Sequence, residues 1–435
     1  MKPSGSMAMQ PWMTAPATQE VLAALTAKGA VVRFVGGCVR DALLQRDIRD
    51  IDLATNEPPE GVLALLKQAG IQTVSTGIAH GTVTAIVHHQ PFEITTLRQD
   101  IEPDGRHAKV AYIDDWQADA ARRDFTMNAV FCDPDGTLYD PFDGVADLFA
   151  GRVCFVGDPK TRIEEDVLRL LRFFRFYAEY GSSPPDEDAI TACRELAQLL
   201  PRLSGERVRA ELLRLLGSSA CAETVRLMHG EGVLVHILPE ATDAAFDALA
   251  ALVALEASDA ISVATAPVAT APVAVDAAAA QPIRRLAILL PGGSEMVGEI
   301  AARLKLSNAE KRRLMMLVTS PIGVGGFEDA RGVRRALYGF GPGRVTDSVL
   351  LYWARLGSAP SEAAIAPCRI ALLEAAAWQE KKFPIGGKDL LALGFAAGPE
   401  IGDVLERVEG WWLEGDFTAS RAECLEKAVA FLEGA

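Results

Sequence analysis

The spacing of apolar residues divides the chain into two regimes. Up to about residue 157, short apolar runs alternate with polar positions and are broken by glycine and proline. That pattern predicts strands interleaved with short helices. Residues 17–29 predict a helix, and "AVVRFVGG" then reads as a buried strand running into a glycine turn. "CVRDALLQR" carries apolar residues at helical spacing, and "IRDIDLAT" alternates as a strand does. "PPEGVLALLKQAG" joins a proline start, an apolar stripe and a glycine stop. "HGTVTAIVHH" and "PFEITTLR" add two strands, so this part predicts an α/β unit with a small sheet. From about Asp158 the period becomes that of amphipathic helices. "TRIEEDVLRLLRFFRFYAEYG" is predicted as one long helix from the Pro159–Thr161 region to Gly181, and helices follow to the C-terminal end. The repeat in "SVATAPVATAPVAVDAAAAQP" interrupts them, a low-complexity surface insertion at about 258–282. The expected fold class is therefore α+β, a small mixed sheet followed by an all-helical remainder.

Composition narrows the class without naming a chemistry. The chain has 435 residues, 49% apolar and 23% charged, a soluble globular profile with room for more than one domain. No apolar run reaches the roughly 20 residues of a membrane helix. "MKPSGSMAMQPWMTAPATQE" lacks the apolar core of a secretory signal and reads as a loose tail. The seven cysteines form no CxxC, which predicts reduced thiols in a cytoplasm rather than disulfides or a zinc site. His88-His89 beside a strand reads as a solvent-facing pair. The net charge of −15 favours solubility, yet residues 160–175 hold five basic and three acidic side chains. A local basic surface for a phosphate backbone is therefore compatible with an acidic chain.

The chemistry concentrates in "RFVGGCVRDALLQRDIRDIDLAT", residues 33–55. A strand, a glycine turn and a helix start make an anion site, because glycine lets a phosphate approach backbone N–H groups at the positive helix end. Arg40 lies in the first helical turn, where a guanidinium adds to that grip. On a strand, Asp50 and Asp52 project to the same face at roughly 7 Å spacing. Two such carboxylates repel unless a cation neutralises them, and hard oxygen ligands suit Mg²⁺ completed by substrate phosphates. A solvated strand face is the competing reading of a bare DxD; the glycine turn upstream shifts the balance to chemistry.

"GGCVRD" and "DIDLAT", then "RRDFTMNA" (122–129), "YDPFDG" (139–144) and "EEDVLRLLRFFRF" (164–176), resemble in order and spacing the class II tRNA nucleotidyltransferase and bacterial poly(A) polymerase family. That family belongs to the DNA polymerase β-like nucleotidyltransferases. The resemblance runs from about Val31 to Gly217. It resumes at "RLKLSNAEKRRL" (303–314), "FPIGGKDLLALG" (383–394) and "GPEIGDVLERVEGWWLEGDF" (398–417), which are similar to the tails of alphaproteobacterial CCA-adding members. It implies a tail and helix at 1–29, a catalytic head at 30–157 and a base-reading helical neck at 158–217. A tRNA-binding body and tail at 218–435 would follow.

The resemblance also implies roles. Asp50 and Asp52 would be metal ligands, with Glu93 of "PFEITTLR" as the third carboxylate, and Mg²⁺ the cofactor. Gly37, Arg40 and Arg123 would hold the nucleotide; read from residues alone, Arg122-Arg123 equally suits a salt-bridging pair. Asp124 and Asn128 would orient those arginines or contact the ribose. Asp166 and Arg169, three apart on a predicted helix, would read the base. An aspartate accepts from an exocyclic amine and an arginine donates to the adjacent ring nitrogen. Cytosine and adenine share that edge, which guanine and uracil reverse. Arg172 lies one further step round and Arg175 falls opposite Asp166, both carried as nucleotide contacts. Phe173, Phe174, Phe176 and Tyr177 read as core. Arg202, Arg207, Arg209 and Arg214 are candidates for tRNA phosphate. The polar stretch at 100–126 corresponds to the flexible loop that CCA-adding relatives use in changing from C to A addition.

The expected activity is addition of CCA to tRNA 3′ ends from CTP and ATP, with no membrane and no evident protein partner. Poly(A) polymerase, an A-only tRNA enzyme and a catalytically inactive RNA-binding protein are the alternatives.

Overall fold

The alternation in the first part of the chain becomes a single mixed sheet in a computed structural model, which describes all residues except 49, 75–76, 79–80, 103–108, 183, 258–276, 320–328, 358 and 434–435. Its strands are β1 (Gly5–Ser6), β2 (Val32–Val35), β3 (Ile51–Thr55), β4 (Gln72–Val74), β5 (Thr82–Val87), β6 (Gln90–Thr96), β9 (Phe131–Cys132) and β10 (Thr137–Tyr139). They lie in the order β1-β10-β9-β2-β3-β6-β5-β4. Among the described residues only β3 and β6 run parallel, in register Asp52↔Glu93. Strands β7 (Arg98–Glu102) and β8 (Lys109–Tyr112) form a separate antiparallel ribbon.

The period of two assigns the faces. Val32, Phe34, Ile51, Leu53, Phe92 and Ile94 point to one side, where α2 (Pro16–Thr26) and α4 (Pro59–Gln68) bury Val21, Leu25, Val62 and Leu66 against them. The opposite face carries Val35, Ala54 and Phe131 in a smaller core with Leu97 and Ala120. By alternation, Asp52 and Glu93 belong to this second face. The histidine pair forms the two-residue β5–β6 turn, with both residues left-handed and exposed, and His88 lies 3.4 Å from Glu20.

The described residues make two compact units, Met1–Pro239 and Glu240–Ala435. The first continues past the sheet into helices α7 (Pro159–Glu165), α8 (Leu168–Tyr180), α9 (Glu187–Leu196), α10 (Gly205–Gly217) and α11 (Cys221–Gly230). The long helix expected from residue 159 to Gly181 is thus two helices. Asp166 ends α7 with extended backbone, and its Oδ1 accepts from Leu168 N at 3.1 Å, restarting the chain as α8. Periodicity survives such a one-residue break, which is why the sequence hid it. Phe173, Phe174 and Phe176 of α8 are buried core as expected, whereas Tyr177 is half-buried.

The second unit is all-helical among its described residues, from Asp243–Ala257 to Arg421–Glu433. Its C-terminal core packs Trp412 against Tyr338, Phe383 and Phe417. The VATAP repeat lies outside the described residues as far as 276. The helix Ala277–Ile288 takes up the end of the predicted insertion.

Candidate active site

The turn after β2 is built by one glycine in particular. Gly36 has φ 72° and ψ −126°, a conformation L side chains rarely adopt. Its carbonyl accepts from Arg40 N at 3.0 Å and so opens helix α3 (Gly37–Leu43). A β-carbon on Gly36 would sit 3.9 Å from both Arg123 Nη1 and Asp52 Oδ2. The bare backbone of this turn therefore faces a carboxylate and a guanidinium. Gly37, the glycine singled out in the sequence, occupies the first helical position without positive φ.

Asp52 stands on β3 directly across from Glu93 on β6, which is exposed. Asp50 is exposed and precedes the strand. Burial lifts the Asp52 carboxyl from 3.8 to about 6, and the negative charges of Glu93 and Asp50 add to the lift while Arg123 and Arg40 oppose it. A half-buried acid crowded by like charge is what a divalent cation relieves. Among the described residues no three carboxylate, thiol or imidazole groups converge to cage an ion alone. That donor set fits a hard cation held by few carboxylates and completed by water and phosphate oxygens.

The arginines divide by their partners. Arg123 gives Nε and Nη2 to Asp119 at 3.3 and 2.9 Å, and Arg122 gives Nε and Nη2 to the same carboxylate at 2.8 and 2.7 Å. The salt-bridging pair is real, but its partner is buried and Arg123 borders Asp52. Arg40 is itself buried. It chelates Asp41 with Nε and Nη2 at 2.9 Å each, donates Nη1 to Asn128 at 2.8 Å and lies 4.3 Å from the Tyr180 ring centre.

From Asn128 a polar chain runs into the helices. Asn128 Nδ2 donates to Asp124 at 3.0 Å, and Arg172 Nε donates to the other Asp124 oxygen at 2.7 Å. Burial pushes the Asp124 carboxyl up, but Arg172, Asn128 and the Phe125 N–H outweigh it and bring it to about 2. Arg172 also lies 3.9 Å from Glu211 of α10, whose Oε2 accepts from Arg175 Nε at 2.6 Å. The expectation that Arg175 falls opposite Asp166 assumed one continuous helix. With the break, Arg172 and Arg175 are neighbours on α8 sharing Glu211.

The side chains of Asp166 and Arg169, three apart in sequence, do not bond to each other. Both Asp166 oxygens accept from Arg207 Nη2, at 3.0 and 2.7 Å, so Arg207 holds this carboxylate in the structure. Arg169 donates to Glu165 at 2.7 Å and to the carbonyls of Arg162 at 3.1 Å and Arg122 at 2.7 Å. Each retains bonding capacity, since a carboxylate has about four acceptor sites and a guanidinium five N–H groups.

Asp119, Asp41, Tyr180 and Glu211 join the site although no motif gives them a role, and the arginine partner of Asp124 is Arg172. Asp119 sits four before Arg123 at helical spacing, a readable signal. Glu211 is an acidic residue on a buried helical stripe of α10, another signal. Tyr180 and Asp41 meet through tertiary packing, at 2.8 Å from Tyr180 Oη to Asp41, and leave no local trace.

Comparison with known proteins bears on this arrangement. The Poly A polymerase head domain matches residues 32–154, and the probable RNA and SrmB-binding site of polymerase A matches residues 185–245. The mitochondrial CCA tRNA nucleotidyltransferase 1 of Danio rerio is 33% identical over 405 residues, spanning 91% of this chain and 86% of its own length. The chain belongs to the CCA tRNA nucleotidyltransferase family. The Homo sapiens member is also 33% identical over 91% of this chain and 85% of its own length. The CCA-adding enzyme of Bacillus stearothermophilus, solved in complex with CTP, superposes with a TM-score of 0.71 at 25% identity, covering 97% of this chain and 99% of that one. The polymerase β-like head with a mixed sheet and helical remainder, expected from the resemblance, is the fold of this family member.

Proposed function

We infer that this chain adds CCA to tRNA 3′ ends, using CTP and ATP and releasing pyrophosphate. The observation that carries the inference is Asp52, an acid crowded by Asp50 and Glu93, beside the bare Gly36 turn and Arg123. The fold family implies a divalent metal; with oxygen donors only, we take it to be Mg²⁺. Asp50 and Asp52 would hold it, with Glu93 the adjacent third carboxylate. When bound, it lowers the charge cost of attack by the tRNA 3′-hydroxyl on the α-phosphorus and of pyrophosphate departure.

The chain's own groups position the reactants. The α3 start at Gly37 and the cations of Arg40 and Arg123 favour triphosphate beside the Gly36 turn. Asp166 accepts from the exocyclic amine of cytosine or adenine while Arg169 donates to the neighbouring ring nitrogen. Guanine and uracil would leave buried polar groups unpaired, which supports strong rejection. Arg172 and Arg175, tied through Glu211, hold α8 and with it the base-reading residues; nucleotide contact by either adds to that bracing. All seven cysteines are unpaired, which supports a reducing, cytoplasmic setting. No described helix is long and apolar enough to cross a membrane.

The test is incubation of the purified protein with labelled CTP or ATP, Mg²⁺ and tRNA lacking its CCA end. CTP incorporation followed by one A is expected. Incorporation of ATP alone would favour poly(A) or A-only addition instead. Asp52→Ala should abolish incorporation; unaltered activity would overturn the metal assignment.

A further inference from the structure

Arg123 has a divided guanidinium. Its Nε–Nη2 edge is bound to Asp119 Oδ2, while Nη1 has no hydrogen-bond partner among the described residues and borders the Gly36 turn and Asp52. Asp119 is suited to fix such an orientation. It is 1% exposed, and its other oxygen accepts three further bonds, from Arg122 Nε and Nη2 and from the backbone N–H of Arg98 at 3.2 Å. Arg98 is the first residue of the β7 ribbon strand, so one carboxylate joins the ribbon base to both arginines. Burial penalises the Asp119 charge, but Arg123 and Arg122 overcome that penalty and hold its carboxyl below the usual range. A flat five-donor cation chelated along one edge keeps only the opposite edge for a ligand.

We propose that Asp119 is a positioning residue for nucleotide binding, aiming the Nη1 edge of Arg123 into the crevice between Gly36 and Asp52. The ligand it prepares for is the anionic part of a nucleoside triphosphate, and the proposal rests on the nucleotidyltransferase reading above. Removing Asp119 leaves Arg123 in place but frees it to rotate, so binding weakens without loss of the cation itself. Arg122, sharing the carboxylate, keeps it ionised and centred.

The experiment is a double-mutant cycle on the full-length chain, with KM for CTP and for CCA-less tRNA measured separately. Asp119→Asn should raise KM for CTP about tenfold and leave KM for tRNA within twofold. In the Arg123→Ala background the same change should add less than twofold. An unchanged CTP KM in folded Asp119→Asn, or a full tenfold loss added on Arg123→Ala, overturns the proposal. Arg123→Lys gives an independent arm should the Asn variant not fold. One ammonium cannot reach Asp119 and the crevice together, so Lys should lose as much CTP affinity as Ala. Retention of wild-type affinity by Lys overturns the proposal. A wild-type chain that incorporates no nucleotide into tRNA would instead sink the reading it rests on.

Discussion

Replacing each of the two adjacent glycines by alanine separates backbone demand from steric demand. At Gly36 the nearest atoms to a new methyl would be Arg123 Nη1, Asp52 Oδ2 and the Asn128 carbonyl, at 3.9 to 4.0 Å. These are ordinary contacts, so crowding contributes little. The cost lies in φ 72° and ψ −126°, a mirror-image extended conformation closed to L residues, worth roughly 1–3 kcal/mol. For a unit of this size about 2–4 °C accompanies each kcal/mol, so Gly36→Ala should lower the melting transition of the sheet-bearing unit by roughly 2–12 °C. The methyl also fills the space in front of Asp52, so CTP KM should rise. Gly37→Ala is the control. Its backbone is helical and its methyl would meet only Arg40 Nη2, at 3.7 Å. Reduced freedom of the unfolded chain should make it neutral or stabilising by about 0.4–1 kcal/mol. Equal destabilisation by both substitutions, or a Gly36→Ala transition within a degree of wild type, would refute the reasoning.

Other outcomes follow from the charges. Asp52 has a raised carboxyl, about 6 against 3.8, so the folded state binds the extra proton and gains stability as pH falls from about 6 toward 4. In chelator at pH 8, Asp52→Asn should therefore be the more stable chain, by on the order of 2 kcal/mol after allowance for partial exposure, and that advantage should shrink through this window in denaturant titrations. Added Mg²⁺ should raise the melting temperature of wild type and not of Asp52→Asn. Asp124 has the opposite sign. Depressed to about 2, its contribution is present above about pH 4 and lost as pH falls toward 2. Asp124→Asn should cost roughly 2–4 kcal/mol at neutral pH, by leaving Arg172 short of its partner, with the gap to wild type narrowing below pH 4. Arg207→Ala frees the Asp166 carboxylate, so UTP misincorporation should rise about tenfold in a four-nucleotide assay. Unchanged selectivity would disconnect that bridge from base choice.

Four of the eight sheet strands were readable because period two and glycine stops are local signals; β1, in the stretch read as a loose tail, and β4, β9 and β10 hold only two or three residues each, too few to show a period. The β2 strand, its turn, β3, and the β5–β6 hairpin all sit where the alternation places them. The Asp52–Glu93 adjacency was only partly readable: the strand assignments put both on strands, but the parallel β3–β6 register is a long-range fact. Distinguishing Gly36 from Gly37 needed dihedral angles, since both letters read alike. The break at Asp166 escaped because an aspartate followed by apolar residues at helical spacing looks continuous. A side chain accepting from the backbone two residues on ends one helix and starts the next without changing the pattern. The bonds Arg40–Asn128, Arg172–Asp124 and Arg207–Asp166 span 41 to 88 residues of sequence. Charge composition cannot foretell such pairings.

The row Asp41–Arg40–Asn128–Asp124–Arg172–Glu211–Arg175 has a consequence for anyone building chimeras from this chain and a homologue. Pro159 offers an inviting splice point, since sheet and helices look like separate modules there. A junction at that position severs no backbone pairing in the sheet, yet it splits the Asp124–Arg172 contact between two parents. Hybrids should therefore succeed when α3, the 124–128 turn, α8 and α10 come from one donor. They should fail when these are mixed, however similar the parents are elsewhere.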